Sequence, residues 1–378
     1  MSKNRSVPMS GKTSEAVSEP AEGPLRAWVR FWFAPADPIG LHAVRVLAGL
    51  LFIGWLLPFA GHVEAFFGLQ GWFDTQAYVD AGRLPEGPPQ PINWSILYLA
   101  GSNPAFLNLL YWVSILILAL FTLGVCTRIT AVLTWVIVVS FTANPVTLYD
   151  ADTLLVILAF YLMIGYVFLG QWEAWLPPWA RILGPSDTWL FRRPSYGEER
   201  TGSVAANLAL RLLQVHFGIV MVASGLHKLQ FGEWWSGAAF WYPLHPPLTT
   251  TFEQARQTTS NPTAYLVILS LGAYATLAWQ IAFPFFAWRP RWRWLLIGGA
   301  VVGWLGLAFM YQLPLFGPAI FVCSLSYLTT PEWERLRDLL ARVPGLGRLR
   351  RRAAAAQNPA PKSSIGREES SFVAARQR

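Results

Sequence analysis

The chain has 378 residues, 54% hydrophobic, 15% aromatic and 13% charged, and a formal net charge of +8. A soluble domain carries about 25% charged residues, so the composition excludes a soluble globular enzyme, and the twenty tryptophans suit the two membrane–water interfaces where that ring concentrates. The two cysteines, Cys126 and Cys323, are far apart and show no CxxC or Cys/His spacing, which excludes a disulfide framework and a zinc site.

Residues 1–30 read as a polar N-terminal tail with no cleavable signal, expected to be disordered. The first apolar stretch, Leu41–Ala60, is too long for a signal-peptide core and reads as a retained anchor. Seven more segments reach or approach the ~20 residues a helix needs to cross ~30 Å of hydrocarbon. They are Ala105–Val125, Ile129–Ala143, Thr153–Leu169, Ala206–Leu226, Ala264–Phe286, Trp294–Met310 and Leu315–Leu328. The third and the last of the eight are short. Between the fourth and fifth, Trp172–Arg200 mixes four tryptophans with arginines and prolines, as an interfacial segment on the cytoplasmic surface does. Residues 331–378 form a basic tail expected to be mostly disordered.

Loop charge tests this parse. With the N-terminus cytoplasmic, 24 Lys and Arg fall on the inner side and 3 (Arg83, Lys228, Arg256) on the outer, with Arg45 and Arg211 inside spans. That asymmetry is the positive-inside signature. The expected fold is therefore an all-α polytopic membrane helix bundle of about eight transmembrane helices. It occupies residues 31–330, in the cell inner (plasma) membrane, with disordered cytoplasmic tails and both termini cytoplasmic. The partner implied by the basic balance is the lipid bilayer rather than nucleic acid, since clustered cytoplasmic arginines attract anionic headgroups.

The fifth span carries the candidate chemistry. At 100° per residue, Gln214, Met221, Gly225 and Lys228 share a sector of about 60°, and His216 lies on another face. Gly225 permits close approach of a helix or ligand just before Lys228. Lys228 stands at the outer end of its span, level with Asp150 and Asp152, which begin the fourth, so an ion pair is expected there. Two readings of Lys228 compete. It is an interfacial anchor that snorkels or pairs with an aspartate. Alternatively it is a base held among Trp234, Trp235 and Trp241, where desolvation favours the neutral amine. His216 reads as a neutral imidazole bonded to a neighbouring helix, Gln280 as an interhelical bond, and Arg45 and Arg211 as anchors. Paired acids at Asp150 and Asp152 make a poor metal site and a good helix N-cap. P-loop, GxGxxG, GxSxG and HExxH patterns are absent.

The run Ser224-Gly225-Leu226-His227-Lys228-Leu229, followed by Trp234 or Trp235 and by Gly237, resembles the horizontally transferred transmembrane (HTTM) domain. This is the membrane domain shared with vitamin K-dependent gamma-carboxylase. Arg45 followed by Gly49, and Asn144 with an acid-containing turn before the fourth span, fit the same pattern, and the likeness covers roughly Phe31–Thr330. The resemblance implies a base at Lys228 acting on a quinone or other hydrophobic small molecule, with Gly225, Trp234, Trp235, Asp150 and Asp152 around the ligand. The carboxylase branch uses a histidine near the start of the fourth span. This chain has none between Val63 and Val215 and carries Asp150 and Asp152 in that window. The large extracytoplasmic domain of the carboxylases has no counterpart after the last span. The alternative function is a non-enzymatic membrane factor that matures or exports a secreted peptide.

Overall fold

The computed structural model describes residues 23–68, 71, 94–143, 150–169, 202–245, 251, 253–254, 257, 261–310, 315–340 and 342. The side chains of Asp150 and Leu340 are not among them, and the expected tail disorder and interfacial Trp172–Arg200 segment fall largely or wholly outside. The described residues form an all-α bundle without strands. In chain order the helices are α1 (Pro24–Phe33), α2 (Ile39–Leu56), α3 (Val63–Phe67), α4 (Pro104–Leu123), α5 (Thr127–Thr142), α6 (Asp150–Phe168) and α7 (Val204–Lys228). They continue with α8 (Gly232–Trp235), α9 (Trp241–Leu244), α10 (Pro262–Phe286), α11 (Pro290–Met310), α12 (Phe316–Leu325) and α13 (Thr330–Leu340).

Six of these, α2 (with the 3-10 turn after it), α4, α6, α7, α10 and α11, are long and apolar enough to cross a membrane. The other two expected spans are shorter: α5 has 16 residues and α12 has 10. At 1.5 Å per residue α12 is about 15 Å long, half of the hydrocarbon thickness. It is too short to cross by itself and is packed inside the bundle. It packs against α2, α6, α7 and α11, and Val322–Leu325 are buried, so most of its surface meets protein.

Short connections and close approaches set the packing. Gly124 (φ 85°) closes α4 with its N–H on Leu120 O and Phe121 O, while the N–H of Val125 also reaches Leu120 O, a Schellman ending that reverses the chain into α5. Cys126 (φ 46°) completes that turn in the left-handed region and is exposed, whereas Cys323 is buried. Gly49 lets α2 lie directly on α4, because a Cβ there would overlap Thr122. Ala36 and Ser203 exchange two backbone hydrogen bonds (3.2 and 2.8 Å), which pins the start of α2 beside the start of α7. The core runs through α2, α4, α6, α7, α10 and α12, with Phe52, Phe121, Tyr166, Phe217 and Phe283 fully buried.

Two helices lie where the sequence reading placed tails. α1 exposes Leu25, Trp28, Val29 and Phe33, keeps Arg26 and Arg30 in its polar composition, and sets Phe31 against Trp288 at 5.5 Å. These are the traits of an interfacial amphipathic helix. α13 opens with the glutamate half of a capping box: Glu332 accepts from the N–H (2.7 Å) and hydroxyl (2.6 Å) of Thr329, and its own N–H bonds the backbone Thr329 O at 3.0 Å. Glu332 is also ion-paired to Arg293 of α11, and both side chains are buried.

Burial by itself raises the Glu332 pKa, but the Thr329 hydrogen bonds and the Arg293 charge outweigh it, and the net shift is downward. A carboxylate with a depressed folded pKa contributes stability above its unfolded value of about 4.3 and loses it as pH falls through the folded pKa. Glu332→Gln should therefore lower the detergent-solubilised protein's unfolding free energy by about 3 kcal/mol at pH 7, the cost of stranding a buried partner. The gap between variant and wild type should close between pH 5 and the folded pKa, read by thermal unfolding across pH. A gap independent of pH would show that the carboxylate charge is not what holds α13.

Candidate functional site

α7 organises the polar groups of the interior at both of its ends. At its N-terminal end, Ser203 caps the helix through Ala206 N, and Asn207 Nδ2 donates to Phe31 O and Trp32 O (both 3.0 Å). Arg211 Nη1 donates to Gln214 Oε1 at 3.1 Å. Gln214 Nε2 donates to Ser326 O at 2.6 Å, and Tyr327 Oη donates to Gln214 O at 2.6 Å. Gln214 thus clasps the C-terminal end of α12. Mid-helix, His216 Nδ1 is 2.9 Å from Tyr161 Oη of α6, the interhelical bond its position predicted.

Arg45 departs from the anchor reading. It is 1% exposed, with its guanidinium 5.4 Å from the Tyr166 ring, and His42 one turn earlier hydrogen-bonds Tyr166 Oη at 2.7 Å. Its place seven residues into α2, facing α6 and its aromatic ring, keeps the side chain in the bundle rather than at the interface. Arg211 is half-buried, held between the rings of Phe31 (4.7 Å) and Trp288 (5.3 Å).

At the other end of α7, Gly225 is buried against α10. A Cβ on it would meet Ile281 Cγ1 at 3.0 Å and Gln280 Cβ at 3.4 Å. This approach puts Gln280 beside Ser224, and Gln280 Nε2 donates to Ser224 Oγ at 3.3 Å. Lys228, one turn on, donates from Nζ to the same Ser224 Oγ at 2.8 Å. The Lys228 Nζ also lies 5.5 Å from the centre of the Trp234 ring, within cation–π range. Ser224 therefore joins the lysine to the amide across two helices. Gln280 is 7% exposed, and its Oε1 has no hydrogen-bond partner among the described residues. With the amide in either orientation, one of its polar atoms is left over.

The segment after α7 folds back on α10. Trp235 Nε1 donates to Leu229 O (2.6 Å), and Tyr274 Oη of α10 donates to Trp235 O (2.7 Å). Gly237 takes φ 75°, and a Cβ on it would sit 2.5 Å from Ser270 Oγ of α10. Both the conformation and the space demand glycine at this position. Trp234 and Trp235 diverge: Trp234 is half-buried against Lys228, whereas Trp235 is 64% exposed. Trp241 stacks on His245 at 3.9 Å. Trp234 also lines a cavity of about 450 Å³ together with Phe231, Glu233, Ala239, Tyr242 and Pro243. Asp152 is buried in the first turn of α6, the helix packed along α7, and the side chain of Asp150 lies outside the described residues.

Sequence reasoning named Lys228, Gly225 and Gln280 but not Ser224 as the link between them. The spacing held that signal, since Ser224 and Lys228 are four apart on one helix and so meet on its surface.

No family model matches the chain, and no solved structure matches it. The chain is similar to the uncharacterized protein YitO of Bacillus subtilis (strain 168), with 26% identity over 220 residues, 57% of this chain and 66% of that protein's length.

The unmatched amide oxygen separates Gln280 from Gln214. Gln280→Leu gives up one hydrogen bond and removes an unpaired buried acceptor, so stability should change by less than about 1 kcal/mol. Gln214→Leu gives up two good bonds and strands Arg211 and Ser326 O, which should cost about 2 kcal/mol or more. Thermal or denaturant unfolding of the two variants in one detergent would check the order, and equal losses would contradict it.

Proposed function

We propose that this integral membrane protein is an HTTM, gamma-carboxylase-like protein that binds a quinone or another hydrophobic ligand with a polar head between α7 and α10, and that Lys228 is the base of that site. The observation that carries the reading is the cluster Lys228–Ser224–Gln280: a cation, a hydroxyl and a buried amide with a vacant acceptor, at one end of an otherwise apolar helix pair. Of a dihydroxylated ring such as a hydroquinone, one hydroxyl would donate a hydrogen bond to the Gln280 amide oxygen. Lys228 as a neutral amine would take the proton of the other, leaving a phenolate and an ammonium, as a general base within hydrogen-bond reach does. Gly225 supplies the close approach that forms the cluster. Trp234 covers the amine and borders the neighbouring cavity, where an apolar tail would lie. Asp152, buried in the first turn of α6, is assigned as the acid that balances the ammonium state.

The bundle is placed in the plasma membrane with the arginine-bearing end of α7 and both termini cytoplasmic. The 24-to-3 division of Lys and Arg supports that orientation. Lys228 then stands toward the outer face, within reach of a ligand or a peptide that arrives in the outer leaflet.

Purified protein titrated with menaquinone-4 should bind it near one-to-one. Lys228→Arg and Lys228→Ala should both lose proton uptake from the reduced ligand, because a guanidinium stays protonated. Gln280→Leu should weaken binding about tenfold through the lost hydrogen bond. An arginine variant indistinguishable from wild type would make Lys228 an anchor that snorkels. The peptide-maturation role would then stand in place of the enzymatic one.

A further inference from the structure

A second feature of the α7–α10 interface lies toward its other end. A groove of about 440 Å³ runs along α7 from Gln214 to Leu226 and is closed on the far side by Pro284, Phe285 and Trp288. Gly218 and Ala223 leave room for it, and Ile219, Leu226 and Phe285 are more than half exposed along it, so it faces the lipid. The twelve helical steps from Gln214 to Leu226 make it about 18 Å long. The polar groups at its Gln214 end are engaged, Gln214 with Ser326 O and Tyr327 Oη with Gln214 O, so its body offers only dispersion contacts to an occupant.

The end near Gln214 carries a charge. Arg211 lies one turn before Gln214, and its guanidinium rests on the face of Trp288, which forms the groove's rim. Arg211 Nη1 is used by Gln214, Nε is buried with no hydrogen-bond partner, and no carboxylate pairs with Arg211 among the described residues. Arg293, close by, already has Glu332. A guanidinium with donors to spare, pressed between two aromatic rings at the mouth of a hydrocarbon trough, calls for an anion attached to an alkyl chain.

We infer that this groove holds one acyl chain of an anionic phospholipid, with the phosphate on Arg211. The phosphate position at Arg211 lies at the opposite end of α7 from Lys228, although the groove itself extends to Leu226, and the site stands whether or not that lysine is a base. Occupancy would brace α7 against α10 at the level where Gly218 and Pro284 approach each other (3.0 Å for a Cβ on Gly218), so it is also a route by which leaflet composition sets the stability of the helix pair.

Delipidated protein in a maltoside detergent should be titrated with phosphatidylglycerol, with phosphatidylcholine and with inorganic phosphate. Thermal unfolding and native mass spectrometry of bound lipid serve as readouts. Wild-type protein should bind phosphatidylglycerol about tenfold more tightly than phosphatidylcholine, and phosphate alone should leave the unfolding temperature unchanged. Arg211→Gln should erase the preference between the lipids, Arg211→Lys should keep part of it, and Ala223→Phe, which fills the groove, should weaken both. Should Arg211→Gln fail to fold, the lysine and phenylalanine variants decide the matter in the same way. Equal affinity for the two lipids, a preference that survives Arg211→Gln, or an effect reproduced by phosphate alone would each overturn the inference.

Discussion

The close approach of α7 and α10 is the contact on which the rest of the interior depends. Gly218 meets Pro284 and Gly225 meets Ile281, each where a Cβ would come within 3.0 Å of the facing side chain. Small residues at such crossings let two backbones pack tightly in a medium where the hydrophobic effect gives helices no reason to associate. The crossing at Gly225 makes the Ser224–Gln280 bond possible and so places the amide near Lys228. The crossing at Gly218 sets the width of the lipid-facing groove. One helix pair therefore carries two polar devices at opposite ends of a single apolar seam.

The arginines obey a second constraint. Of four arginines within the first eight residues of a helix, Arg128 and Arg293 stand in the first turn, where the macrodipole opposes a positive charge, and Arg45 and Arg211 stand a turn further in. Antiparallel packing resolves the conflict for two of them, because the same charges lie at the C-terminal ends of neighbouring helices. Arg128 donates to Leu169 O just past α6 (2.6 Å), and Arg293 donates to Ala287 O and Trp288 O just past α10 (both 3.1 Å). Arg45 rests over Tyr166, near the end of α6. Two of these arginines, Arg128 and Arg293, thus also cap neighbouring helices. The neighbours of Arg211 are aromatic faces and an amide rather than a carboxylate or a helix-ending carbonyl.

Much of this was legible in the sequence because apolar runs and loop charges are long-range, redundant signals. The helical face shared by Gln214, Met221, Gly225 and Lys228, the His216 bond to a neighbouring helix and the role of Gln280 as an interhelical bond followed from spacing alone. Two of the eight expected spans were visible as short, and only the packing shows that α12 is a 10-residue helix surrounded by protein. α1 and α13 went unread for different reasons. α1 has few residues and an apolar face that belongs to an interface, and the Thr329–Glu332 cap straddled the boundary at which the chain was classed by its charge as tail. Within the site, two adjacent tryptophans have one composition and opposite fates. Trp234 meets Lys228 while Trp235 faces out, because neighbouring residues of one short helix point about 100° apart. Arg45 read as an anchor because depth along a helix is visible in sequence and the partner across it, Tyr166, is not.

The account stands on Lys228, Ser224 and Gln280 acting together as a ligand site. The most direct measurement is an experimental structure of the protein in lipid nanodiscs prepared from its native membrane, at a resolution that shows bound small molecules. The account predicts density against the Gln280 amide and the Lys228 amine, with Ser224 between them and Trp234 alongside. A lysine extended into the headgroup layer, with the Gln280 amide bonded only to protein, would contradict it.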